Sequence, residues 1–216
     1  MNADDVARYL KQNPDFLAQH GELFTELTVP HPHGGQAISL AERQLHALRD
    51  KIRQLEHKLA ELIRFGEEND EIGEKVHRFS LALLDSADFD SLRHALFHHM
   101  QEDFAVPHVS LRIWNSVITH EGEDFAEVSE AVRFYAGDLR QPYCGAPGNI
   151  EVVGWFGEAA PHVLSVALVP LRRGAQVFGL LALGSEEAER FYAGMGTLYL
   201  GRIGELVSTA LLRQLG

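Results

Sequence analysis

The side chain of greatest intrinsic reactivity in this sequence is its single cysteine, Cys144, which lies between Tyr143 and Gly145. A thiol acts as a nucleophile or redox switch when a nearby base or cation lowers its pKa. Arg140 is the one local cation, and no triad-like spacing accompanies it. Prolines and glycines predict a loop here, a frequent place for function. Two interpretations stay open: a thiol-dependent enzyme or redox sensor, and a small buried apolar residue.

A second group with metal-binding chemistry has helical spacing, since His94, His98 and Glu102 are four residues apart. Side chains at this spacing share one helix face, so the three could bind one metal ion. The apolar residues that define the core face lie roughly opposite: Leu92, Leu96 and Met100. A solvated face is therefore predicted. No catalytic motif is recognised anywhere in the chain, and we expect no enzyme.

A third group could form a ligand pocket, because aromatic residues are concentrated in or beside an irregular stretch at 115–160. A pocket needs apolar walls and a few polar groups. The candidate lining residues are Arg112, Trp114, Tyr143, Cys144, Trp155 and Ser165. The alternative is that these aromatic side chains simply fill the core. The sequence identifies neither a ligand nor a cofactor.

The elements that would position these residues begin with a helix, because Ser39 and Glu42 have the spacing of a capping box. The apolar residues that follow recur at alternating steps of three and four: Leu45, Leu48, Ile52, Leu55, Leu59 and Leu62. This stripe, the heptad seam, favours a two-stranded parallel coiled coil in a homodimer. The alternative is a long helix that packs on its own domain. We expect the 72–83 stripe and the last helix to continue the dimer contact.

After Gly66 the pattern becomes that of an α+β domain. A second helix or a bent continuation is predicted to about Asp85, and another helix follows. Period-two alternation predicts one half-buried strand, and two runs that are apolar on both faces predict central strands joined by a hairpin at Gly174. These strands are 109–113, 163–169 and 177–183. A long final helix completes an antiparallel-sheet α+β order.

Charge and composition divide the 216 residues into a helical arm with a loop at 1–38, the heptad helix at 39–68, and the α+β domain at 69–216. The net charge of -12 argues against direct binding of nucleic acid or anionic lipid. No apolar run approaches the roughly 18 residues of a membrane span. The start has no export signal, and a lone cysteine suits a reducing compartment, so we expect the cytoplasm.

Several stretches of the chain together resemble a proteobacterial GAF-containing family of unknown function. They are VARYLKQNPDF at 6–16, ISLAERQLHALR at 38–49, PYCG at 142–145, SVALVPL at 165–171, GLLALGS at 179–185 and RFYAGMGTLYL at 190–200. The resemblance implies a GAF-like antiparallel sheet flanked by helices and a tendency to form dimers. Family members are often encoded beside a site-specific tyrosine recombinase, which makes a recombinase the candidate protein partner by analogy.

The best-known GAF signatures are mostly missing. The Asn-Lys-Phe-Asp-Glu set of cyclic-nucleotide-binding members is absent, and one cysteine is too few for a methionine-sulfoxide reductase. Covalent bilin attachment usually involves Cys followed by His, whereas Gly145 follows Cys144. We therefore expect a non-enzymatic dimeric regulatory module that senses a small molecule and acts through a protein partner. The alternatives are a ligand-free dimeric adaptor that binds its partner through the N-terminal arm, and a thiol-dependent protein using Cys144.

Overall fold

The computed structural model describes residues 2–23, 28–29, 38–114, 122–148 and 150–215. The chain divides into two compact units, Met1–Glu68 and Asn69–Gly216. The loop predicted at the end of the arm falls mostly within 30–37, outside the described residues. No helix of the described part is long and apolar enough to cross a membrane.

The N-terminal arm contains two short helices, α1 (Ala3–Gln12) and α2 (Asp15–Gln19). A capping box starts α1, because the side chain of Asn2 accepts from the amide of Asp5 at 2.8 Å and Asp5 accepts from the amide of Asn2 at 2.9 Å. None of the α1 residues is buried. Two short strands, β1 (Thr28–Val29) and β2 (Ile38–Ser39), pair in antiparallel fashion.

One continuous helix of 46 residues, α3 (Leu40–Asp85), begins where the capping-box spacing predicts. The second helix considered from the sequence is thus the same helix, although Gly66 and Gly73 lie within it. Each interior glycine costs roughly 0.5–1 kcal/mol relative to alanine. Ion pairs four residues apart support the helix around both glycines: Arg64 with Glu68 at 3.3 Å, and Lys75 with Glu71 at 2.8 Å.

The domain is built on an antiparallel sheet that contains β3 (His108–Ile113), β4 (Tyr143–Gly145), β5 (Ser165–Arg173) and β6 (Gln176–Ser185). Their order across the sheet is β3-β6-β5-β4. The predicted central position of the hairpin strands β5 and β6 is confirmed, as is the α+β class. The prediction of a loop around Cys144 is wrong, because Cys144 lies in strand β4, which pairs with β5. Three residues are too few for a strand period to show in the sequence.

Helices cover both faces of this sheet, which explains why β5 and β6 are apolar on both sides. The C-terminal part of α3 packs on the inner face together with α4 (Phe89–Glu102) and α7 (Leu198–Leu215). The outer face is covered by α5 (Glu130–Asp138) and α6 (Ile150–Gly154). Side chains alternate between the faces, so Ala167 and Val169 of β5 point inward while Val166 and Leu168 point outward.

The inner helices are joined by polar contacts at their ends. Arg213 of α7 donates to the carbonyls of Ser86 at 2.8 Å and Leu83 at 3.3 Å, and so satisfies backbone acceptors at the C-terminal end of α3. Phe79 and Leu83 of α3 are fully buried in their own domain. The expectation that the 72–83 stripe continues a dimer contact is therefore wrong for these two side chains, because the inner core of their own domain already covers them.

Helix α7 lies close to β5, and glycine is required at the point of contact. An added Cβ on Gly204 would lie 2.6 Å from Cγ1 of Val169, whereas a Cβ on Gly201 meets nothing within 4 Å.

We expect Gly204→Ala to destabilise the domain by about 1–3 kcal/mol through overpacking. Gly201→Ala is the matched control and should stabilise it by about 0.5–1 kcal/mol. Urea unfolding followed by circular dichroism measures both, and equal effects would contradict this account of the α7–β5 packing.

Candidate functional site

The strand period separates the six residues proposed for a pocket. Ile113 points to the inner face of β3, so Arg112 and Trp114 lie on the opposite side with the outer core. In β4, Tyr143 packs on the outer face, whereas Cys144 belongs to the inner core. The structure thus places Arg112, Trp114 and Tyr143 on the outer face of the sheet and Cys144 on the inner face.

Arg112 and Trp155 form a structural pair on the outer face. The guanidinium carbon of Arg112 lies 5.1 Å from the centroid of the Trp155 ring, a cation–π distance. Its Nη1 donates to the Leu111 carbonyl at 2.9 Å and to Oγ of Ser110 at 3.2 Å. Burial lowers the pKa of Arg112, and the negative charges of nearby acidic side chains oppose that shift. These contacts hold Arg112 against its own strand.

Trp114 and Ser165 are also held by local hydrogen bonds. The indole Nε1 of Trp114 donates to the Val177 carbonyl at 3.1 Å, which fastens the end of β3 to β6. Oγ of Ser165 donates to the Glu187 carbonyl at 2.6 Å and accepts from the amide of Phe191 at 3.3 Å. Ser165 therefore anchors the segment after β6 and lies apart from the outer-face aromatic residues.

Cys144 is buried on the inner face and lacks the environment of a reactive thiol. Its side chain packs in the inner core, and burial raises the pKa of the thiol to about 11. A nucleophilic cysteine needs the opposite shift. The geometry supports the interpretation of Cys144 as a small apolar core residue.

The outer face contains a cavity of about 540 Å³ between β4, β5 and the α5–α6 region. This volume lies within the range of small-molecule sites. Of the six predicted residues, Tyr143 alone is among its described lining residues, which are Tyr135, Tyr143, Pro147, Gly148, Glu151, Val152, Val153, Val166 and Leu168. Apolar side chains thus form most of the wall, with two phenols and one carboxylate as the polar groups.

Tyr143 is fixed in the cavity wall by its own strand. Its hydroxyl donates to the Ala146 carbonyl at 3.0 Å, so the ring lies along the backbone of β4. A Cβ on Gly145 would lie 2.7 Å from that hydroxyl. Gly145 therefore leaves room for the ring, a role that the sequence motif does not reveal.

Glu151 of α6 joins the two helices that frame the cavity. Its Oε1 accepts from the amide of Ser129 at 3.0 Å, and its Oε2 accepts from the hydroxyl of the same residue. Ser129 is the N-cap of α5, where the partial positive charge of the helix end favours a carboxylate. Glu151 thus contributes negative charge to the cavity from a fixed position.

Tyr135 and Glu151 were not selected from the sequence as pocket residues. Burial raises the pKa of Tyr135, and the negative charge of an ionised Tyr143 adds to that shift, which shows that the two phenols are neighbours. Tyr135 belongs to the aromatic cluster of the irregular stretch, and that cluster is the signal in the sequence that could have identified it. No local pattern distinguishes Glu151 from the other surface carboxylates.

The histidine pair on α4 lies on the outward side of that helix, as predicted. The His94 and His98 rings are stacked with their centroids 6.1 Å apart, and both side chains are exposed. Within the part of the chain that the structure describes, no group of three or more His, Cys, Asp or Glu side chains is arranged to hold a metal ion.

Comparison with known proteins identifies the family. The family described as "Protein of unknown function, DUF484" matches residues 1–214. The chain belongs to this family. It is 26% identical to the uncharacterized protein YigA of Shigella flexneri over 96% of this chain and 90% of that protein. The YigA protein of Escherichia coli K12 has the same identity and coverage.

Solved structures similar to the chain are described as GAF domains. The A. aeolicus nlh2 GAF domain in an inactive state has a TM-score of 0.46 and 15% identity, covering 67% of this chain and 98% of that one. The GAF domain of the potassium sensor histidine kinase KdpD from Escherichia coli has a TM-score of 0.43 and 14% identity, covering 66% and 94%.

The buried state of Cys144 predicts an unreactive thiol. With a pKa of about 11, roughly one molecule in a thousand carries a thiolate at pH 8, against roughly a quarter for an unperturbed cysteine. We expect Ellman's reagent to label the native protein at least about a hundredfold more slowly than the urea-unfolded chain. The native rate should rise with pH up to about 11, with Cys144→Ser as the blank. Labelling at pH 7 as fast as that of free cysteine would revive the thiol-dependent alternative.

Proposed function

We propose that the chain is a non-enzymatic, cytoplasmic regulatory module that acts as a homodimer. Its outer-face cavity binds a small molecule, and helix α3 transmits the state of the domain to a protein partner. The observation that carries this proposal is the continuity of α3. Phe79 and Leu83 in its last turns are buried in the core of the sheet domain, whereas its N-terminal part presents the heptad seam.

The homodimer is supported by the exposure of the seam. Each of its six apolar side chains is between 52% and 66% exposed in the single chain. Apolar surface of this extent on one helix face favours association, and a two-fold dimer is the commonest way to cover it. Residues 39–68 carry six basic and six acidic side chains. This balanced charge suits the solvated flanks of a two-helix contact.

The protein partner is supported by the N-terminal arm. Val6 and Tyr9 of α1 are 39% and 50% exposed, on a helix without a buried residue. The amphipathic helix therefore presents an apolar face that a partner groove could bind. A site-specific recombinase remains the candidate by family analogy. The same observation favours the second candidate function, a dimeric adaptor that binds the partner through this arm and needs no ligand.

The proposed dimer predicts the effect of charge in the seam. Ile52→Asp with Leu55→Asp should place two desolvated carboxylates at the contact and convert the dimer into a monomer, as measured by sedimentation at tens of micromolar. Gln54→Asp with Ala60→Asp adds the same charge at exposed positions off the seam and should leave the dimer intact. A wild-type chain that sediments as a monomer at this concentration would overturn the proposed dimer.

The two candidate functions predict different results in a ligand screen and a deletion. For a sensor, at least one metabolite in a thermal-shift screen should raise the melting temperature, because a ligand that binds only the native state stabilises it. For an adaptor, no metabolite should do so, and deletion of residues 1–38 should abolish recovery of the recombinase in a pull-down. Both functions are contradicted if no metabolite raises the melting temperature and the recombinase is still recovered after the deletion.

A further inference from the structure

We infer that the outer-face cavity selects an organic cation, such as a quaternary ammonium or protonated amine on a compact apolar body. This inference rests on the proposed ligand-binding function and adds the chemical class of the ligand. It follows from the charge and the aromatic content of the cavity wall.

The charge of the wall has one sign. Glu151 is the ionisable carboxylate among the described lining residues, and none of those residues is a lysine, arginine or histidine. The amide and the hydroxyl of Ser129 both donate to the Glu151 carboxylate, so this group does not have to be ordered when a ligand enters. The whole chain carries a net charge of -12, which attracts cations to this site and repels anions from it.

None of the described lining residues offers an arginine or lysine side chain to an anionic ligand. Phosphates and carboxylates are recognised by arginine, lysine or converging backbone amides. Arg112 is buried on the same face of the sheet, but it is not among the described lining residues and donates to Leu111 and Ser110. A nucleotide would therefore bring its phosphates to a carboxylate and two phenols, a repulsive arrangement.

The aromatic content favours a cation over a neutral molecule of the same shape. Tyr135 and Tyr143 are neighbouring rings in the wall, and cations are attracted to the faces of such rings. Four aliphatic residues also line the cavity and suit the apolar groups around a quaternary nitrogen: Val152, Val153, Val166 and Leu168. A carboxylate, two phenol rings and aliphatic side chains together form a site for a weakly hydrated organic cation.

A charge series of constant shape tests the inference in the full chain. The probes are choline, its uncharged isostere 3,3-dimethylbutan-1-ol, and the anion 3,3-dimethylbutanoate, with binding measured by chemical-shift changes of the protein. We expect choline to bind at least about tenfold more tightly than the alcohol, and the anion not to bind. Choline binding should weaken as the salt concentration rises.

Variants locate the effect in this cavity. Glu151→Gln keeps an acceptor for Ser129 and removes the charge, so it should weaken choline binding about tenfold or more while the weaker binding of the alcohol is unchanged. Glu158→Gln is the matched control, because Glu158 is exposed and does not line the cavity. Tyr135→Leu removes one ring and should also reduce the preference for choline over the alcohol. Circular dichroism checks that each variant is folded.

The outcomes separate this inference from the proposed function. Equal binding of choline and the alcohol, or tighter binding of the anion, would overturn the cation preference and leave ligand sensing in place. No binding of choline at about 10 mM would also overturn it, since a site with these groups should reach at least millimolar affinity. The proposed function is judged independently by the metabolite screen.

Discussion

Burial of the β5–β6 hairpin on both faces is the constraint on which the rest of the domain depends. Its alternating side chains need apolar cover on two sides, so the structure places α3, α4 and α7 on one side and α5 and α6 on the other. The inner face is closed tightly, with Gly204 of α7 against Val169. The outer face is covered by two short helices and irregular segments, and this looser cover leaves the cavity.

The same arrangement connects the sheet to the long helix. Arg213 of α7 donates to carbonyls at the end of α3, and Phe79 of α3 is buried among the inner helices. Tyr199, at the other end of α7, donates to the Asn69 carbonyl of α3 at 3.1 Å. Helix α7 therefore contacts the domain part of α3 near both ends. A shift of α7 against the sheet would displace these contacts with α3.

Local sequence patterns predict much of this architecture. Apolar residues on both faces predict the central strands, Gly174 marks their hairpin with a φ of 60°, and the Ser39–Glu42 spacing predicts the start of α3. The strand β4 was missed, because it is three residues long and lies among prolines and glycines that indicate a loop. Its hydrogen bonds come from β5, more than twenty residues away in the chain.

The sequence by itself determined the α+β class, the central hairpin, the helical arm and the seam, because each depends on a residue period within one segment. The tertiary structure alone decided which side of the sheet each candidate residue occupies. Successive residues of a strand point to opposite faces, so the pairing of the three-residue strand β4 places Tyr143 and Cys144 on different sides of the sheet. The packing of α6 on the N-cap of α5 brings Glu151 beside the cavity. Such pairings arise from contacts between distant segments, which a one-dimensional pattern does not contain.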